Sequence, residues 1–165
     1  MVISKPDISH ITHLLSAITD PEIPVLSIID LGVLRSVEWK DGKLVICITP
    51  TYSGCPAMDM ISMSIRLRML EAGIEKVDVI HQLSPAWTTD WMTSEGKQKL
   101  KQYGIAPPEK QNAGCGSELF SEATAQCPRC SSGNTSLVSE FGSTACKSLY
   151  KCNSCLEPFD YFKCH

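Results

Sequence analysis

Apolar residues recur at helical spacing from the start of the chain. Ile8, Ile11, Leu15 and Ile18 form one stripe behind Ser4 and Asp7, which resemble a capping box with Pro6 in the first turn. That pattern predicts an amphipathic first helix. The periodicity then breaks at DPEIPVLSIIDLGVL, where Pro21 and Pro24 forbid regular helix and Gly32 permits a turn, so residues 20–34 read as a shaped loop. Two strand-like runs follow, Arg35 to Trp39 and Lys43 to Thr49, on either side of Asp41-Gly42, the dipeptide favoured in two-residue hairpin turns. In the second run, Leu44, Ile46 and Ile48 share a face.

Pro56 suits the first position of a second helix, because its missing N–H would have no intrahelical partner there. Met58, Ile61, Ile65 and Met69 line one side of this helix, and Met60, Met63, Leu67 and Leu70 widen the apolar surface until Gly73, so the helix is expected to be largely buried. Val77, Val79 and Leu83 alternate through a third strand, and a further helix runs from about Ser94 to Tyr103. The order helix, hairpin, helix, strand, helix fits an α/β fold of the two-layer α+β kind, with helices covering a small mixed sheet. Its strand–helix–strand step predicts a parallel pair. This domain takes residues 1–105; residues 106–126, rich in Pro, Gly and polar side chains, read as a linker. Residues 127–165 hold few aliphatics and most of the chain's cysteines.

A chain of 165 residues has room for one core-bearing domain of about 100 residues and a smaller appendage that needs a staple. A net charge of −3 without clustered Lys or Arg weighs against a nucleic-acid partner. The N-terminus lacks the pattern of a secretion signal, and no apolar run approaches the roughly 20 residues of a membrane span. The expected location is therefore cytoplasmic, with no membrane partner. In a reducing compartment, nine cysteines point to metal or thiol chemistry rather than disulfides.

Cys127-x2-Cys130 and Cys152-x2-Cys155, with 21 residues between the pairs, supply two thiolate corners that can close tetrahedrally on one ion. With short strands such as Ser136 to Phe141 and Ser148 to Lys151 between them, the tail reads as a small all-β zinc ribbon whose metal-binding energy is folding energy. The same four sulfurs could hold iron. Neither knuckle has a glycine directly after its second cysteine, which favours structural zinc over a rubredoxin-like iron. Cys146 and Cys164 read first as a small buried residue and a chain end, and alternatively as auxiliary ligands.

Cys55 stands at the mouth of the second helix, where orphan N–H groups and the macrodipole favour thiolate and can lower a cysteine pKa to roughly 3.5 to 7.5. The alternative is a half-buried helix cap without chemistry. His81 is expected in the core and His10 and His13 on the surface, so no base completes a nucleophilic pair and no catalytic residue is assigned. Cys47 is expected in the core. Trp87 and Trp91 serve either as packing or as a docking rim.

DPEIPVLSIIDLGVL together with TPTYSGCP resembles the signature of SufT-type iron-sulfur assembly domains. PAWTTDWMTSEGKQKLKQYGIAPP and the tail motifs CPRC, SEFGSTACK, CNSC and EPFDYFKC resemble, more narrowly, the PaaD-like accessory proteins of bacterial phenylacetate degradation. The resemblance runs from about Ile8 to Cys164. It implies association with the 1,2-phenylacetyl-CoA epoxidase system, especially its iron-sulfur reductase, and a role in cluster or metallocentre maturation rather than in epoxidation. It also implies that Cys55 is the reactive thiol and transient iron-sulfur cluster ligand, with the acidic loop of Asp20, Glu22 and Asp30 nearby. One thiolate cannot retain a cluster that normally needs four protein ligands, so the expected use is transfer or sharing across a homodimer. The alternative function is a catalytic or redox-carrier component using the thiol or an iron-loaded four-cysteine site.

Overall fold

The computed structural model describes residues 6–108 and 125–163. Ser4 of the expected capping box lies outside them. Helix α1, Ile8–Leu15, starts after Asp7 and buries Ile11 and Leu15 completely. It stops before Ile18, which is buried in the following loop. There the chain folds back on itself: Asp20 N–H donates to the Leu26 carbonyl and Ile28 N–H to the Ile18 carbonyl, both close to 3 Å. The two prolines prevent helix in this loop, and it still delivers Ile23, Leu26, Ile28, Leu31 and Val33 to the core. At Gly32, φ is +68°, and a Cβ would lie 2.4 Å from the Trp91 carbonyl oxygen, so no other residue fits.

Strands β1, Leu34–Lys40, and β2, Lys43–Ile48, form the hairpin. Asp41 and Gly42 both take positive φ, 46° and 77°, as a turn matched to strand twist requires. Strand β2 is central, antiparallel to β1 and parallel to β3, Val77–His81. Its alternation is hidden because both faces are covered: Leu44, Ile46 and Ile48 are fully buried, and Val45 and Cys47 nearly so.

Helix α2, Ala57–Glu71, makes the crossover between the parallel strands. It corrects the expectation of a largely buried helix. Ala57, Met58, Ile61, Ile65 and Met69 face the sheet, whereas Met60, Met63, Leu67 and Leu70 are each more than half exposed. A three-stranded sheet is one helix-face wide, and a helix apolar on both sides can bury only one of them against it. Leu83 likewise falls beyond β3 and is 68% exposed.

The described chain divides into two compact units, one running to Trp87 and including Trp91–Thr93, the other comprising Thr88–Asp90 and the residues from Ser94 onward. Helix α3, Ser94–Tyr103, keeps its expected bounds but groups with the second unit. So does the two-residue strand β4, Ile105–Ala106, which pairs in parallel with β7, Pro158–Phe162. With β5, Thr135–Ser139, and β6, Lys147–Cys152, they form a sheet of order β4-β7-β6-β5. Its core is small: Tyr150, Phe159 and Tyr161 pack with ring centroids 5.6 and 5.9 Å apart, beside Cys127 and Cys152. No helix among the described residues is long and apolar enough to cross a membrane.

Candidate metal centre and the Cys55 site

The two Cys-x2-Cys segments fold as near copies of one another. Cys127 N–H donates to the Ser132 carbonyl and Cys152 N–H to the Glu157 carbonyl, each at 2.9 Å and each closing a turn around its cysteine pair. Directly after the second cysteine of each pair, Ser131 and Leu156 take φ of 60° and 67°. The left-handed position usually held by glycine is therefore present without the glycine. The missing glycines consequently give no conformational reason to prefer zinc over iron, which corrects the sequence argument.

The four sulfurs converge. Cys127, Cys130, Cys152 and Cys155 place all their Sγ atoms within 4.8 Å of one another. The Cys127–Cys155 and Cys130–Cys152 separations are 3.8 and 3.5 Å. A tetrahedron with metal–sulfur bonds of about 2.3 Å has edges of about 3.8 Å, so the donor set matches a four-thiolate ion. Cys152 is prepared to lose its proton first: the N–H groups of Cys155 and Ser154 and the neighbouring thiol lower its pKa to about 6. Although the Ser132 N–H pulls the other way, that charge and burial raise Cys130 to about 12, so the cluster holds extra negative charge badly until a cation arrives.

Cys146 is buried, 3.0 Å from the Thr144 hydroxyl. It lies at the opposite end of β6 from Cys152, about 20 Å away along an extended strand, and cannot reach the same ion. Cys164, the other expected auxiliary ligand, lies outside the described residues.

Cys55 belongs to the loop between β2 and α2. Pro56, not Cys55, is the N-cap, so the thiol sits one residue further from the helix than expected. It is half-buried. Burial pushes its pKa up, hydrogen bonds from the Ala57 N–H and the Tyr52 side chain partly offset this, and the Glu22 and Asp20 carboxylates raise it again. The thiol is thus kept protonated, contrary to the low-pKa expectation. Pro56 has no N–H to offer, and desolvation with two nearby anions outweighs the helix end.

Asp20 is nearly buried, its Oδ1 accepting from the Glu22 and Ile23 N–H groups at 2.7 and 2.9 Å, which fixes the turn whose carboxylates raise the Cys55 pKa. Asp30 organises a different stretch. Its carboxylate accepts from the Ser27 N–H and hydroxyl at 3.0 and 2.8 Å and from the Thr93 hydroxyl at 3.3 Å. Tyr52 is a neighbour that sequence reasoning missed, although it stands inside the TYSGCP motif. His81 is exposed rather than in the core, 2.8 Å from the Ser62 hydroxyl on α2. Cys47 is buried as expected, its thiol 3.1 Å from Gln82 Oε1. Trp87 is buried and donates to the Leu31 carbonyl, which removes it as a docking rim; Trp91 is half-buried beneath the Arg35 guanidinium, 3.5 Å above its ring.

A loop-rich mixed α/β unit with a thiol beside two carboxylates, followed by a four-cysteine ribbon, defines a two-part class of protein. A family model described as iron-sulfur cluster assembly protein matches residues 8–79, and one described as the PaaD zinc beta ribbon domain matches residues 111–163. The chain is 53% identical over 162 residues to a putative 1,2-phenylacetyl-CoA epoxidase subunit of Escherichia coli K12, covering 98% of this chain and 96% of that protein. The chain belongs to the PaaD family. It is also 33% identical over 92 residues to an Fe-S protein maturation auxiliary factor of Porphyromonas gingivalis, covering 54% of this chain and 87% of that one. A DUF59 domain of unknown function from Bacillus anthracis has the same fold, with 24% identity, a TM-score of 0.52 and coverage of 56% of this chain and 89% of that one. A conserved hypothetical protein from Thermotoga maritima also shares it, with 23% identity, a TM-score of 0.50 and coverage of 58% and 95%.

Proposed function

We infer that this protein is an accessory factor of a phenylacetyl-CoA epoxidase system that assists maturation of an iron-sulfur client, the reductase component. Cys55 is its transient cluster ligand. The observation that carries the reading is the half-buried, protonated thiol beside Asp20 and Glu22, within residues matched by an iron-sulfur assembly model. A ligand meant to let go should not be a permanent thiolate: a protonated thiol gives up its proton when it takes a cluster and regains it on release. The near-complete match to an epoxidase component supports the choice of system. In this reading the four-cysteine ribbon holds zinc, its ion is structural, and the ribbon serves as a docking module.

The test supplies variants to cells lacking the native protein and measures cluster content and turnover of the reductase. Cys55→Ser should leave folding and ribbon metal unchanged but lower cluster loading. Full loading with Cys55→Ser overturns the role.

A second reading, a redox carrier with iron in the ribbon, keeps its place because Ser131 and Leu156 reproduce the left-handed knuckle. Metal analysis and a visible spectrum of anaerobically purified protein separate the two. A colourless protein with one zinc supports the first, and a stoichiometric red iron centre supports the second.

A further inference from the structure

The residue that closes each cysteine turn also grips the other turn. Ser132 takes the Cys127 N–H on its carbonyl at 2.9 Å, and its hydroxyl lies 2.8 Å from that of Ser154, which stands between the two cysteines of the second pair. Glu157 takes the Cys152 N–H on its carbonyl at 2.9 Å, and its carboxylate lies 2.6 Å from the guanidinium of Arg129, which stands between the two cysteines of the first pair. The two links run in opposite directions, each from the closing residue of one turn to the interior of the other. Neither belongs to the strand ladder. The bonds from Asn153 to Asn134, at 2.9 and 3.0 Å, extend the β5–β6 pairing and so tie strands rather than turns.

We propose that Ser132 and Glu157 are positioning residues that couple the two halves of the metal site, so that its ion is held or lost in one event. Each cysteine pair supplies half of a tetrahedral shell. Without cross-links, the easiest path to loss is for one turn to swing away with its two thiolates while the other stays bound. With them, a turn that moves pulls on the residue that closes its neighbour, and both open together. The close sulfur contacts, Cys127–Cys155 at 3.8 Å and Cys130–Cys152 at 3.5 Å, likewise run from one turn to the other.

The ion pair is exposed, 69% at Arg129 and 48% at Glu157, so each link is weak and its signature lies in the pattern of release rather than in the stability of the fold. The inference concerns the ribbon alone and stands whether or not Cys55 carries a cluster.

The test uses the full chain loaded with zinc and treated with N-ethylmaleimide and a strong chelator, with modification followed at each of the four cysteines by mass spectrometry. In the native sequence all four should become modified together, with no accumulated species modified at one pair alone. Ser154→Ala and Glu157→Ala each break one link and keep the closing carbonyls. Each should hasten zinc release about two- to fivefold, and the double variant should accumulate chains modified at one pair while the other pair holds out. Arg129→Ala combined with Glu157→Ala should release zinc no faster than either alone, as partners in one contact require. Faster release in the Ser154–Glu157 double variant that stays all-or-none would reduce the links to ordinary surface stability and overturns the proposal. Unchanged release, one-pair species in the native chain, or effects of Arg129→Ala and Glu157→Ala that multiply overturn it too.

Discussion

At the scale of single residues, environment decides what the cysteines do. Because burial and the carboxylates of Glu22 and Asp20 raise the Cys55 pKa, thiolate is scarce at neutral pH. Alkylation by iodoacetamide, followed by mass spectrometry, should be slower than for an unstructured cysteine at pH 7 and should accelerate only above the ordinary thiol range. Glu22→Gln removes one anion, lowers the pKa and should speed alkylation at fixed pH; an unchanged rate would mean that the carboxylate does not act on the thiol. Leu156 offers a second residue-scale test. Its side chain is 67% exposed while its backbone is left-handed, so Leu156→Gly loses little packing and relieves strain. The ribbon should gain about 1 kcal/mol, seen as a higher melting temperature or slower loss of metal to a chelator. A destabilised variant would show that the leucine packs more than its exposure implies.

Elements were legible where one local signal dominated. Asp41-Gly42 announced its hairpin, and α3 ran from Ser94 to Tyr103 as read, because turn chemistry and helical periodicity act within a few residues. The two faces of α2 were not legible. Both carry apolar residues at the same period, and which of them meets the sheet is set by how the helix docks as the crossover between β2 and β3, information that lies outside its own sequence. The burial pattern can be measured: Ile65→Ala should cost about 2–5 kcal/mol and Leu67→Ala no more than about 0.5 kcal/mol in dilute solution. Equal costs at the two positions would invert this assignment. Strand β4 was invisible for another reason, since two residues carry no period and their strand character comes from a partner far along the chain. At Cys55 the family motifs named both the thiol and its acidic loop, but not the direction of its pKa, because desolvation, the largest cause of the rise, depends on tertiary burial.

At the scale of the whole molecule, the two units gain stability from different sources. The first holds a run of fully buried aliphatics, whereas the second buries four aromatic rings, Tyr150, Phe159, Tyr161 and Phe162, and two of its own cysteine ligands. Removing the ion should therefore unfold one part alone. In Cys152→Ser, or after treatment with a strong zinc chelator, residues from about Cys127 onward should become sensitive to protease while the first unit keeps its cooperative melt. A ribbon that stays resistant without metal would show that its aromatic core suffices. The pairing of β4 with β7 also bears on how the molecule can be cut. A fragment beginning at residue 111, where the ribbon match starts, lacks Ile105 and Ala106 and leaves one side of β7 without its neighbour. Such a fragment carries an open, aromatic-bearing edge and should self-associate, while one begun upstream of α3 brings its own closing strand and should remain dispersed.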